Sequence, residues 1–305
     1  MAELPDIYLI GAPKAGTTSI TRWLESHPDI YFCRPKEPFY WSTDYPRMRE
    51  HRGFATRRAY ESLYESREAQ AAAHRADGST TYLYSRTAVP SILEEVPGAH
   101  FVVALRNPID LLASWHRTQL LALNEDEPDF AAAWRRSLKG GSPRTDALDF
   151  KRVDYALIGC LGQAVQRLLK VAPRDSVHFV VFDDLTTQPA AVWVELTTFL
   201  DIPNEPTPSF KAHNPSTKMY RSPLLHRLKH RPPALLAGPI RKMRQRSLST
   251  SNPLWSRVRR TMWRNEERPV VDEPMRRELG DFFAEDIALL GKLLGRDFSA
   301  WSSPR

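Results

Sequence analysis

The sequence predicts an α/β protein: a central parallel sheet flanked by helices. Three stretches carry that expectation. Residues 7–19 (IYLIGAPKAGTTS) pass from a short β-prone run through a glycine loop into a segment with helical periodicity, and residues 101–115 repeat strand, loop and helix around Arg106, Asn107 and Pro108. Residues 177–182 (VHFVVF) read as another buried strand, of the kind a parallel sheet covers on both faces.

In the first stretch, Gly11 and Gly16 break the strand Tyr8-Leu9-Ile10 and allow the backbone to turn around an oxyanion. The helix that follows presents unpaired N–H groups carrying partial positive charge. A bound phosphate or sulfate is the expectation, and the sheet is P-loop-like. The spacing is that of G-x-x-x-x-G-K-[ST], yet Thr17 follows Gly16 and the lysine, Lys14, sits in mid-loop, so this is not an ordinary nucleotide-triphosphate loop.

At 305 residues and 42% hydrophobic content the chain can bury a sizeable core, and we read 1–305 as one domain. Cys33 and Cys160 lie far apart without metal-ligand spacing, so neither a disulfide framework nor a metal site is expected. The first strand begins by Ile7, and no apolar run approaches the roughly 20 residues of a membrane span, which makes a cytoplasmic protein the expectation. The net charge of +7 is uneven: residues 211–268 hold fifteen Lys and Arg against Glu266 and Glu267. Within them, 222–268 reads as a basic helical or loop insertion, a solvated face or an anion site. No nucleic-acid motif accompanies it.

Along the chain, Ile20, Trp23 and Leu24 give residues 17–26 one apolar helix face, and 30–33 read as a second strand. Pro35 and Pro38 bracket Lys36 and Glu37 and hold those charges in a defined loop ahead of Phe39, Tyr40 and Trp41. Residues 56–76 read as helix, 79–85 as a short β-prone patch with Tyr82 and Tyr84, and 89–96 as a brief helix. Arg106 falls at the carboxyl end of the strand 101–105, where its guanidinium can fork onto a second anion; Ser114 follows about two helical turns on. A helix opening at Asp154 and Tyr155 completes the pattern read from the residues.

Taken together, GAPKAGTT at 11–18, SHPDI at 26–30, KEPFYW at 36–41 and LRNPIDLLASWHR at 105–117 resemble the sulfotransferase superfamily that uses 3′-phosphoadenosine 5′-phosphosulfate (PAPS), best its bacterial members related to heparan-sulfate sulfotransferases. The resemblance implies the sulfotransferase fold, with a helix over 190–200 and a closing amphipathic helix within 272–301 that includes Phe282. It also implies that Lys14, Ala15, Gly16, Thr17, Thr18 and Ser19 hold the 5′-phosphosulfate and that Arg106 and Ser114 hold the 3′-phosphate. Lys218 or Arg221, in a polar basic loop like the one that covers the nucleotide in bacterial members, is expected on the same phosphate. Two departures stand out. Residues 77–83 lack the second lysine of heparan-type members, and Phe39 occupies a position where relatives often have His, which points towards a less polar acceptor.

Sulfuryl transfer resembles phosphoryl transfer in its loose transition state, so positioning and charge neutralisation carry the catalysis. Lys14 is the expected donor to the leaving oxygen and Glu37 the expected general base, with His27 and His116 as the alternatives for the base. Trp41 and Tyr82 are expected to line the acceptor pocket. PAPS is the expected co-substrate, 3′-phosphoadenosine 5′-phosphate (PAP) the product, a hydroxyl-bearing molecule the acceptor, and no metal or nucleic acid is required. A P-loop-like kinase, marked by Mg²⁺ and ATP dependence, and a non-enzymatic basic binding protein, marked by steep salt dependence, are the alternatives.

Overall fold

The computed structural model describes residues 3–143, 147–210, 218–220, 263–265 and 271–302. Five parallel strands form the sheet in the order β2-β3-β1-β4-β5: β1 is Ile7–Gly11, β2 Ile30–Phe32, β3 His74–Asp77, β4 His100–Leu105 and β5 Val177–Val181. β1 and β4, the expected apolar runs, lie at the centre in the register Leu9↔Val102 and Gly11↔Ala104. Leu9, Ile10, Val102 and Val103 are completely buried, as strands covered on both faces must be. Because all five strands point the same way, the loops that follow them open along one edge, the usual ligand edge of such sheets.

The helix Thr17–Glu25 follows β1 and buries Ile20, Trp23 and Leu24 as the periodicity predicts. Pro108–Leu121 follows β4 with Pro108 in its first turn, and the Asn107 side chain caps it by accepting from the Ile109 amide. The closing helix, Glu273–Leu294, packs on Leu161–Leu169 so tightly that a Cβ on Gly162 would meet the Asp286 carbonyl at 2.2 Å. The Asp286 carboxylate accepts from the Gly162 and Gln163 amides, serving as the cap that the start of Leu161–Leu169 does not supply from its own chain. No helix among the described residues is long and apolar enough to cross a membrane.

Residues 56–76 depart from the single predicted helix. They divide into Arg57–Glu61, a 3₁₀ turn Ser62–Tyr64, Arg67–Ala71 and then β3. Ser66 restarts the helix by accepting from the Ala69 amide. β3, His-Arg-Ala-Asp, has no apolar period; it is a strand because β1 and β2 pair with it on both sides, while Asp6 accepts from the His74 ring and the Arg75 amide. The β-prone patch is instead the 3₁₀ helix Thr80–Leu83, which turns its apolar residues inward. The helix from Tyr155 breaks at Cys160, and Phe182, read as the end of β5, opens the helix Phe182–Thr187. Phe282, expected among the apolar residues of the closing helix, is exposed and meets Trp134 edge-on at 4.9 Å.

Candidate active site

The sheet edge gathers residues that lie far apart in sequence. After β1, Lys14 takes a left-handed backbone (φ 66°), as does Gly16 (φ 82°), so the loop closes back on itself before Thr17. No side chain caps the helix Thr17–Glu25, which leaves its first amides for an exogenous acceptor. Gly16 is required twice over: its φ is unfavourable for other residues, and a Cβ there would meet Leu185 at 2.2 Å and Phe182 at 3.2 Å.

The second motif touches the first. Arg106 Nη1 donates to the Lys14 carbonyl at 2.9 Å, and its guanidinium lies 4.4 Å from the centre of the Phe182 ring. Burial pushes the Lys14 ammonium below its ordinary pKa, the Arg106 guanidinium adds to that, and Glu37 opposes it. Ser114 lies half-buried on Pro108–Leu121, among buried neighbours Ala113 and Trp115. Ala15 is buried in the loop, and Thr18 and Ser19 are half-buried in the first turn of the helix. The backbone of Lys218 opens the short strand Lys218–Tyr220, paired antiparallel with Trp263–Asn265. Arg221 lies outside the described residues, as does most of 222–268.

From the loop after β2, Lys36 Nζ donates to Thr17 Oγ1 at 2.9 Å. A second ammonium therefore stands at the glycine loop, although 77–83 contains no lysine. It enters from the Pro35–Pro38 turn and passes over Gly78, where a Cβ would come within 3.0 Å of its Cε. Burial lowers its pKa, again opposed by Glu37. Glu37 itself accepts from Thr80 Oγ1 at 3.2 Å through its carboxylate and from Arg52 Nε at 2.6 Å through its carbonyl. The alternative bases are engaged elsewhere: His27 pairs its ring with the Pro203 carbonyl and the Asp29 amide, and His116 contacts the Glu127 carbonyl between Phe130 and Tyr155.

Trp41 and Tyr82 are buried behind this edge, in a network around Asp77. Ser79, Tyr60 and Tyr82 hydroxyls donate to the Asp77 carboxylate at 2.8–2.9 Å, the Trp41 indole donates to the Tyr60 oxygen at 3.1 Å, and the Trp41 amide donates to the Tyr82 oxygen at 3.3 Å. Complete burial still pushes the Asp77 carboxyl up, from 3.8 to about 6. The folded state therefore holds this proton over a window in which the unfolded chain has lost it. The contribution of Asp77 to stability is full below about pH 4 and is lost as the pH rises through about 6. Melting curves of the wild type and Asp77→Asn should show a stability difference that shifts against the wild type between those pH values; a difference independent of pH would remove the assignment.

The arrangement can hold a doubly anionic ligand, with two ammonium groups and a guanidinium at one end of the sheet and a carboxylate beside them. Comparison with known proteins agrees with the geometry. The model of the sulfotransferase family matches residues 5–206. A bifunctional heparan sulfate N-deacetylase/N-sulfotransferase 1 of Caenorhabditis briggsae is 26% identical over 222 residues, covering 70% of this chain and 24% of that protein. Human carbohydrate sulfotransferase 15 is 46% identical over 39 residues, 13% of this chain and 7% of that protein. The chain thus spans about a quarter or less of the curated relatives it matches. A sulfotransferase from Alicyclobacillus acidocaldarius, 20% identical, superposes with a TM-score of 0.70 over 99% of this chain and 100% of that one.

Proposed function

Because this chain belongs to the sulfotransferase family, we propose that it transfers the sulfuryl group of PAPS to a hydroxyl of a small-molecule, lipid or glycan acceptor. The observation that carries the proposal is the Arg106 bond to the Lys14 carbonyl, which joins two anion-binding motifs into one site. Residues 15–19 hold the 5′-phosphosulfate through the Gly16, Thr17 and Thr18 amides and the Thr17 and Thr18 hydroxyls, with the Ala15 and Ser19 amides donating within the loop, while Arg106 and Ser114 bind the 3′-phosphate. Lys14 neutralises the charge that builds on the phosphate oxygen as its bond to sulfur breaks. Lys36, held on Thr17, faces the same group as a second cation. Glu37 takes the proton of the acceptor hydroxyl as the new S–O bond forms, and Thr80 fixes the carboxylate for that task. The chain acts as one sulfotransferase domain on this reading, with Lys218 or Arg221 closing on the 3′-phosphate.

Millimolar PAP should raise the melting temperature, because a ligand that binds only the folded state stabilises it by linkage. Glu37→Gln should keep that shift and lose about 10²–10⁴-fold in transfer rate from PAPS, measured with labelled donor and a library of alcohols, phenols and glycans. Absence of any PAP shift would sink the donor assignment. A Glu37→Gln enzyme at full rate would remove Glu37 as the base.

A further inference from the structure

Beside the glycine loop lies a narrow recess open to solvent, lined by Pro13, Tyr45, Thr80, Thr81, Trp115 and Arg152 among others. Arg152 ends the 3₁₀ turn Phe150–Arg152, and the Trp115 indole donates to its carbonyl at 2.8 Å, which anchors its backbone. Its guanidinium lies 5.0 Å from the centre of the Trp115 ring and 5.8 Å from that of Phe39. Its Nε is sealed from solvent and has no hydrogen-bond partner, and Nη1 reaches Thr81 Oγ1 only at 3.5 Å. The acids that act on it electrostatically accept hydrogen bonds elsewhere: Glu37 from Thr80, and Asp149 from the Met48 amide.

A half-buried charge without a close counter-ion favours a partner that pairs with it. We infer that this recess is an acceptor subsite that selects molecules carrying a small oxyanion, a carboxylate or sulfate, which the Arg152 guanidinium receives beside the Trp115 ring. The Trp115 and Phe39 rings flank the guanidinium and align the planar fork of donors that suits such a group. Burial pushes the pKa of Arg152 down, opposed by Glu37, Tyr45 and Asp149. The enclosed part of the recess is about the size of one water, so it admits the tip of a charged substituent while the body of the molecule lies at the open mouth. Pro13 adjoins Lys14, and Thr80 donates to Glu37, so a molecule anchored on Arg152 extends towards the proposed base and sulfuryl group. Calling the recess an acceptor subsite rests on the sulfotransferase reading.

The test loads the protein with PAP, so that the donor site is filled, and titrates it with benzoate and with benzamide, its neutral isostere. Benzoate should bind about 10- to 100-fold more tightly, the range of a charge-assisted hydrogen bond. Arg152→Gln should abolish the preference while keeping the PAP melting shift, and Arg152→Lys should restore part of it. In the wild type, the ¹⁵N resonance of the Arg152 Nε–H should move with benzoate and not with benzamide, which decides the matter even if Arg152→Gln does not fold. Equal affinity, no binding of either compound, a preference that survives Arg152→Gln, or an unmoved Nε resonance would each overturn the inference. A lost PAP shift counts against the donor assignment; a failure with benzoate while the PAP shift persists counts against the recess alone.

Discussion

Lys14→Ala should slow sulfuryl transfer about 10²–10³-fold, with the loss mainly in kcat, by analogy with removing one preorganised donor from an oxyanion hole. The structure makes this a clean test. Lys14 is left-handed, and alanine pays the same steric cost of a Cβ there, so stability without nucleotide should hold. The bond from Arg106 goes to the Lys14 carbonyl, which the substitution leaves in place. What disappears is an ammonium in a desolvated setting, where each charge acts more strongly than in water. Lys36 remains on Thr17 and should sustain residual activity, so Lys14→Ala with Lys36→Ala should be slower than either alone. Single-turnover rates with labelled PAPS give the measurement; an unchanged rate in Lys14→Ala would take Lys14 out of the mechanism.

Gly11→Ala should be the more damaging substitution for the fold. Gly11 ends β1 at φ 113°, and a Cβ there would lie 2.8 Å from the Ala104 nitrogen, 3.0 Å from its oxygen and 3.1 Å from Val103 Cγ1. Two of those three atoms are backbone of the central strand β4, and the Ala104 oxygen accepts from the Ala12 amide at 2.7 Å. Neither partner can move aside without opening the β1–β4 ladder. Strained backbone and a steric clash together should cost more than about 3 kcal/mol and abolish the PAP melting shift. Denaturant titration reads the stability directly, and a midpoint equal to that of the wild type would show that the strands can separate there at little cost.

The parts of this site legible in sequence are those whose signal is local. The Gly11–Gly16 spacing, the apolar run of β4 and the Arg106-Asn107-Pro108 junction each state a backbone conformation, and together they locate the ligand edge. β3 was not legible because its strand character is tertiary: His74, Arg75 and Asp77 are not residues of a core strand until β1 and β2 flank them. For the same reason Tyr82 and Trp41, plausible pocket walls by composition, are tied to buried Asp77. Lys36 did carry a signal, a cation fixed between two prolines beside an acid, though nothing in the spacing said that it would reach Thr17. Arg152, more than a hundred residues beyond Glu37, had none.

The Arg106 contact with the Lys14 carbonyl carries a consequence for binding energetics. A guanidinium that steadies one loop while gripping a ligand at its other face makes each half of the nucleotide a reporter on the other. On the proposed reading, adenosine 3′,5′-bisphosphate should bind more tightly than the separate affinities of its 3′- and 5′-monophosphates predict, and the excess should shrink in Arg106→Lys. On that reading the same linkage also sets a brake on turnover, because the product still carries both anchors and its departure requires the two loops to let go together.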